Sequence, residues 1–207
     1  NNVYGINFSD TVTGTSQNRV DMYGGYGKFQ GNYLGVDISG SEPRGENNFI
    51  AVNGGTHAII GSTLDGVNDN TEINLINNAR TIGSIGGITI SLYGSLASDS
   101  IIANNYLNTD KSTSKSYGRF RSSNGIGFNN HSSSDTGNLS NLVIKNNIIA
   151  NTLIGIQGSN YTYKMVDLLI ENNKIGTDWS GTKVLVSPPI TGYTAAGMMV
   201  GGAFLSN

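Results

Sequence analysis

IIANNYL at 101–107, LVIKNNII at 142–149 and LLIENNKI at 168–175 are three copies of one phrase: an apolar run, paired asparagines, then further apolar residues. A looser copy, INLINNA, occupies 73–79. The pairs are Asn77/Asn78, Asn104/Asn105, Asn146/Asn147 and Asn172/Asn173. Two of the three intervals between them are about 26 or 27 residues, within the range that marks stacked supersecondary units. The third is longer by roughly 15 residues, which reads as a rung carrying a loop insertion.

A second phrase, Gly-apolar-x-apolar, accompanies the first: GINF from Gly5, GITI from Gly87, GIGF from Gly125 and GMMV from Gly197, with a partial copy at Gly155. No segment offers apolar residues at i, i+3, i+4 and i+7 with capping residues, so helix is not expected. Short strands, Gly and Asn at the bends and a period in the twenties specify an all-β fold, a single right-handed parallel β-helix of roughly seven or eight rungs over 1–207. Asparagine suits its corners because it tolerates the left-handed backbone of a sharp bend. Its amide both donates and accepts, so Asn78, Asn105, Asn147 and Asn173 are expected to bond from rung to rung as a structural ladder. The expected core includes Ile6, Phe8, Ile59, Ile88, Ile90, Ile102, Ile126, Ile144, Ile148, Ile156 and Ile170.

Composition narrows the function. The 207 residues are 13% charged with a net charge of -2, which gives no basis for binding nucleic acid or a charged membrane surface. Glycine (29) and asparagine (28) are abundant and proline is scarce (3), yet 37% of residues are hydrophobic, so this is not a disordered composition. No run of 18 apolar residues is present, so membrane insertion is not expected. There is no cysteine, so a continuous core and not disulfides must hold the fold. The chain opens on Asn-Asn and starts and stops in strand-like text (VYGINF, GMMVGGAF). Uncapped rungs of that kind suggest a piece of a longer protein, or a subunit whose ends are covered by neighbours.

GNYLGVDISGS at 31–41 and NNKIGTDWSGT at 172–182 are copies of one module, and GENNFIAVNGGTHAIIGS at 45–62 follows the first. These stretches resemble bacterial extracellular right-handed β-helix repeat proteins of the adhesin or surface-protein type, whose rungs read IGTD-x-SGT with paired asparagines. The resemblance covers most of 1–110 and 140–207 and implies the fold more than any activity. It also implies an extracellular or cell-surface location. Val36 stands where the pattern has Thr, 111–134 fits no rung, and 183–195 carries Pro-Pro in place of a short turn. Loops are therefore expected at about 110–135 and 183–195.

Chemistry familiar on parallel β-helices is hard to find. No paired carboxylates of the kind a pectin-type hydrolase uses occur, and no Asp-Pro-His follows any of the Tyr-Gly pairs, so no catalytic residue is assigned. DGVNDNTE at 65–72 places Asp65, Asp69 and Glu72 at a spacing able to supply oxygen ligands to calcium, although a solvated Asp- and Asn-rich turn is the commoner meaning of such a stretch. No other cofactor is expected. His57 and His131 lack a recognisable partner. The 111–124 stretch gathers Lys111, Lys115, Arg119 and Arg121 around Tyr117 and Phe120, a set that could grip an acidic polysaccharide or simply keep a loop solvated. Tyr161, Tyr163 and Trp179 could stack on sugars or on a neighbouring subunit. Threonines such as those in TVTGT do not recur at one place in the rung, which excludes an ice-binding array. The expected function is a non-enzymatic extracellular structural or adhesive protein, a segment of a fibre, sheath or adhesin whose partners are further copies of itself or a surface polysaccharide. The alternative is a carbohydrate-active β-helix, lyase- or epimerase-like or a binding module, acting on an acidic polysaccharide.

Overall fold

A computed structural model of the chain describes residues 18–43, 48–54, 56–78, 86–93, 97–117, 122–129, 138–159, 165–185 and 196–201. Its strands repeat a three-part unit. The first rung is β1 (Asn18–Met22), β2 (Lys28–Phe29) and β3 (Tyr33–Leu34), and the second is β4 (Asn48–Val52), β5 (Ile59–Gly61) and β6 (Leu75–Ile76). The third is β7 (Gly86–Tyr93), β8 (Ile101–Ala103) and β9 (Tyr106–Leu107). The fourth is β10 (Ser122–Asn129), β11 (Leu139–Ser140), β12 (Val143–Lys145) and β13 (Ile148–Ile149), and the fifth is β14 (Thr152–Ser159), β15 (Met165–Val166), β16 (Leu169–Glu171) and β17 (Lys174–Ile175). A sixth begins with β18 (Ala196–Gly201).

Like parts stack on like. The first strands of the rungs form a six-stranded sheet, and the second and third strands form five-stranded sheets, every pairing parallel. β11 and β15 add a short pair at the corner between the first and second sheets. This is the architecture of a parallel β-helix. Among the described residues it has five rungs and the start of a sixth, each longer than a period in the twenties because several corners carry insertions.

In-register stacking turns each inward position into a column of large apolar residues. Val20, Ile50, Ile90, Ile126 and Ile156 align in the first sheet. Phe29, Ile60, Ile102 and Ile144 align in the second, and Leu34, Ile76, Leu107 and Ile149 in the third. All are buried. At about 1.5–3 kcal/mol for each large side chain taken from water, these columns are the main favourable term in the fold. Of the expected core, Ile90, Ile102, Ile126, Ile144, Ile148 and Ile156 are buried, while Ile59, Ile88 and Ile170 are half-exposed. In β5 it is Ile60 that points inward, because alternation along the strand sends its neighbour out. Ile6 and Phe8 lie outside the described residues.

The paired asparagines divide their work. The first of each pair, Asn104, Asn146 and Asn172, turns the corner between the second and third sheets at φ 54, 57 and 55°. The second points inward and forms a ladder. The Nδ2 of Asn105 donates to Oδ1 of Asn147 at 3.0 Å, and Nδ2 of Asn147 to Oδ1 of Asn173 at 2.9 Å. Each ladder amide also donates to a carbonyl of the rung before: Asn105 to Ile60, Asn147 to Ile102 and Asn173 to Ile144. The member contributed by the second rung is Asn74, whose Nδ2 lies 3.0 Å from Oδ1 of Asn105, and not Asn78. The reason is positional, since Asn77 and Asn78 follow the third strand of their rung and not the second. There the Asn78 backbone N–H donates to Oδ1 of Asn108 in a separate corner column.

The loop expected at about 110–135 is also corrected. Its middle is β10, whose Ile126 and Phe128 are fully buried, and its start is a hairpin described below. Residues 118–121 and 130–137, and 186–195 of the proline-containing loop, lie outside the described residues. Gly125 and Gly155 have a common reason. A Cβ would stand 2.3 Å from the Ile149 side chain at the first and 2.4 Å from that of Ile175 at the second, where the first and third sheets close on each other. Gly87 is not their equivalent, because β7 pairs with β10 through Ile90 and Ile126, two residues out of step with the phrases.

Candidate functional site

Among the described residues, three hairpins leave the corner after the third sheet, from the first, third and fifth rungs. Each opens on a left-handed residue, Gly35 (φ 74°), Asn108 (φ 59°) or Gly176 (φ 75°), and is closed by an antiparallel bridge, Val36–Pro43, Thr109–Ser116 or Thr177–Val184. A central aspartate organises each turn. Oδ1 of Asp37 accepts the N–H groups of Ser41 (2.9 Å) and Glu42 (3.1 Å). Asp110 takes those of Ser114 (2.7 Å) and Lys115 (2.8 Å), and Asp178 those of Thr182 (3.0 Å) and Lys183 (3.1 Å). The hydroxyl two residues on, Ser39, Ser112 or Ser180, donates to the same carboxylate. A short acceptor side chain that satisfies its own turn is what makes Asp a turn former. Burial pushes the Asp110 carboxyl up, but the hydrogen bonds from Ser112, Lys115 and Ser114 outweigh it, so its pKa lies below the ordinary value.

The hairpins bind one another. The Lys111 N–H and the Tyr117 hydroxyl both donate to the Gly40 carbonyl at 2.8 Å, and Lys115 Nζ lies 2.7 Å from Glu42 Oε1. The Trp179 N–H reaches the Thr113 hydroxyl at 3.3 Å, and Lys183 Nζ donates to the Ser114 carbonyl. The residue after each aspartate stands at the tip, so Ile38 (96% exposed), Lys111 and Trp179 (67% exposed) present one row of side chains.

Beside the first hairpin lies a cleft of about 660 Å³. Its floor is the outer face of the third sheet, where Tyr33, Leu75 and Tyr106 are register partners in successive rungs. Val36 and Ile38 form one wall, and Asn70, Thr71 and Ile73 from the insertion at 62–73 form the other. That insertion is drawn against the first rung by the Gly31 N–H, 3.0 Å from the Glu72 carbonyl. A Cβ at position 31 would meet the Thr71 carbonyl at 2.6 Å, so a residue with no side chain is needed for the wall to close. Lys111 completes the rim with Nζ 5.6 Å from the Tyr33 ring centroid, and hydrogen bonding to Tyr33 raises its pKa. Burial raises the pKa of Tyr106, so both the ammonium and the phenol keep their protons at neutral pH.

The residues predicted to carry function are redistributed. Lys111 is on the cleft, whereas Lys115 is engaged with Glu42. Tyr117, expected among ligand-gripping residues, is 1% exposed and sits beneath the first hairpin, so its ring is closed to any ligand. Arg119, Phe120, Arg121, His131, Tyr161 and Tyr163 lie outside the described residues. The calcium set does not assemble. Asp65 accepts the Val67 N–H at 2.8 Å, Asp69 the Ser62 hydroxyl and Gly66 N–H, and Glu72 the Thr63 N–H at 2.9 Å. Each carboxylate is thus turned to its own loop, and among the described residues no three acidic or histidine side chains converge. His57 does have partners: its ring stacks on Tyr26 at 4.5 Å, and Nε2 lies 3.8 Å from Asp99 Oδ2. Tyr33 and Tyr106 were missed, although the shared triplet Asn-Tyr-Leu at 32–34 and 105–107 marks them as equivalents. Comparison with protein-family models, curated proteins and solved structures finds no match for this chain.

Proposed function

We propose that this chain is a segment of a non-enzymatic, extracellular structural or adhesive protein, in which the stacked rungs serve as a stiff rod and one flank serves as the binding face. The observation that carries this reading is the placement of the insertions. The three hairpins and the 62–73 loop all emerge around the third sheet, on the side of the rod that holds the cleft. Solenoids bind through the face on which their per-repeat insertions gather. The in-register ladders and columns supply the rigidity such a face needs, since each rung is fixed by its neighbours.

The test is to coat surfaces with defined polysaccharides and measure retention of the purified chain, with electron microscopy of the same preparation and an assay for released sugar. Retention without product, or ordered filaments, supports the proposal. Sustained release of cleaved sugar would move the assignment to a carbohydrate-active enzyme. Monodisperse protein that neither assembles nor is retained would sink the reading.

A further inference from the structure

Resting on the adhesive reading, we propose that the cleft over the third sheet binds a saccharide that carries an anionic substituent. The floor sets the size and character of the ligand. Tyr33 and Tyr106 stand two rungs apart, roughly 9.6 Å, with the fully buried Leu75 between them. Leu75 is packed against the Gly40 turn, so the accessible floor is the pair of half-exposed phenol rings, suited to rings that have a C–H face and hydroxyl edges. The walls continue the pattern, with Val36, Ile38 and Ile73 beside the amide of Asn70 and the hydroxyl of Thr71. The floor consists of side chains on the outer face of the sheet, and two of its three strands, β6 and β9, are paired on both sides, so it offers ring faces more than a row of free backbone groups.

Charge then selects within the sugars. Among the described residues that line the cleft, Lys111 is the one charged side chain, and contact with Tyr33 keeps it protonated. The nearby carboxylates are occupied: Asp37 by the N–H groups of its own turn and Glu42 by Lys115. The ammonium therefore faces the cleft without a carboxylate in the lining to neutralise it, and a uronate carboxylate or a sulfate ester is the complementary group. Both walls are set before ligand arrives, by the Asp37 turn and by the Gly31–Glu72 bond, so little ordering is left to oppose binding.

The experiment is calorimetric titration of the 1–207 chain with oligogalacturonate, with a heparin-derived sulfated oligosaccharide and with a neutral cello-oligosaccharide. The Lys111→Ala and Tyr33→Ala variants are titrated alongside, with circular dichroism as the fold control. At least one acidic series should bind in preference to the neutral one. Lys111→Ala, an exposed change that leaves the fold intact, should weaken acidic binding at least tenfold and abolish the preference, and Tyr33→Ala should weaken both. The response to the carboxylated and sulfated series identifies the substituent. Acidic binding unchanged in both variants, or neutral binding equal to acidic in the wild type, overturns the assignment. No binding of any soluble oligosaccharide, by a chain that is still retained on coated surfaces, overturns the cleft alone and leaves the adhesive reading standing.

Discussion

Replacing Asn105 by alanine should cost far more than the same change at the half-exposed end of the ladder, Asn173. The Asn105 side chain is fully buried and makes four contacts. Nδ2 reaches the Ile60 carbonyl at 2.8 Å, the Ala103 carbonyl at 3.1 Å and Asn147 Oδ1 at 3.0 Å, and Oδ1 accepts from Asn74 at 3.0 Å. An amide nitrogen has only two hydrogens, so these contacts amount to three full bonds. At about 1 kcal/mol net for each bond lost from a buried site, Asn105→Ala should cost about 3 kcal/mol. Asn173→Ala is the control: this side chain is half-exposed, water can replace its partners, and the cost should be about 1 kcal/mol. Urea unfolding followed by far-ultraviolet circular dichroism reads the difference. With a slope of about 2 kcal/mol/M, the midpoint should fall by about 1.5 M for Asn105→Ala and about 0.5 M for Asn173→Ala. Equal shifts, or a larger one for Asn173→Ala, would refute the reasoning, because they would mean that burial does not decide the worth of a ladder bond.

Gly158 should not tolerate a side chain, since a Cβ there would stand 2.2 Å from the Phe128 ring. Gly158→Ala is expected to cost about 1–3 kcal/mol by thermal melting, and Gly87→Ala, with nothing within 4 Å, to cost far less; equal melting points would count against the packing argument. The Asp110 turn should show a pH signature. Its carboxyl titrates below the ordinary 3.8, so its contribution is present above that value and is lost as pH falls through the lower folded pKa. The melting-point gap between wild type and Asp110→Asn should therefore be full near neutral pH and close in strong acid; a gap undiminished by acid would refute the role given to the carboxylate.

The sequence made the rung legible where one residue type does one job in every copy. Asn105, Asn147 and Asn173 each precede a third-sheet strand, and each occupies the same inward place. INLINNA broke the pattern because its paired asparagines come after the strand Leu75–Ile76, while the true equivalent, Asn74, comes before it. The 62–73 insertion had separated Asn74 from the second-sheet strand that announces the other copies. A third hairpin at 108–117 was hidden for a different reason. Its turns use Asn108 and Thr113, at φ 59 and 53°, where the other copies have glycine, so the glycine signature disappears while the backbone stays the same. What survives is Asp-x-Ser, shared by Asp37–Ser39, Asp110–Ser112 and Asp178–Ser180. The cleft was less legible still. It arises from two tyrosines two rungs apart and a wall from the rung between, a proximity that only stacking creates.

The irregular period has a geometric cause in the hairpins. Ladder partners are separated by 42 residues from Asn32 to Asn74, 31 to Asn105, 42 to Asn147 and 26 to Asn173. Neighbouring rungs are spaced like neighbouring strands, roughly 4.8 Å, whereas a two-stranded hairpin occupies two such spacings, roughly 9.6 Å. A hairpin on every rung would therefore collide with the next, and one on alternate rungs fills the flank without a gap. The hairpin-to-hairpin bonds run in that order, from Lys111 to Gly40 across the first pair and from Trp179 to Thr113 across the second. The fourth rung, which must leave room, passes directly from Ile149 through Ala150 and Asn151 to Thr152, and it spans the shortest interval in the ladder. Asn151 then uses the space as a spacer, its amide donating to the Tyr117 carbonyl at 2.6 Å and its backbone N–H to the Leu185 carbonyl at 3.0 Å. Long and short rungs are thus two halves of one repeating unit, and the row of hairpins along one flank is a consequence of how that unit has to stack.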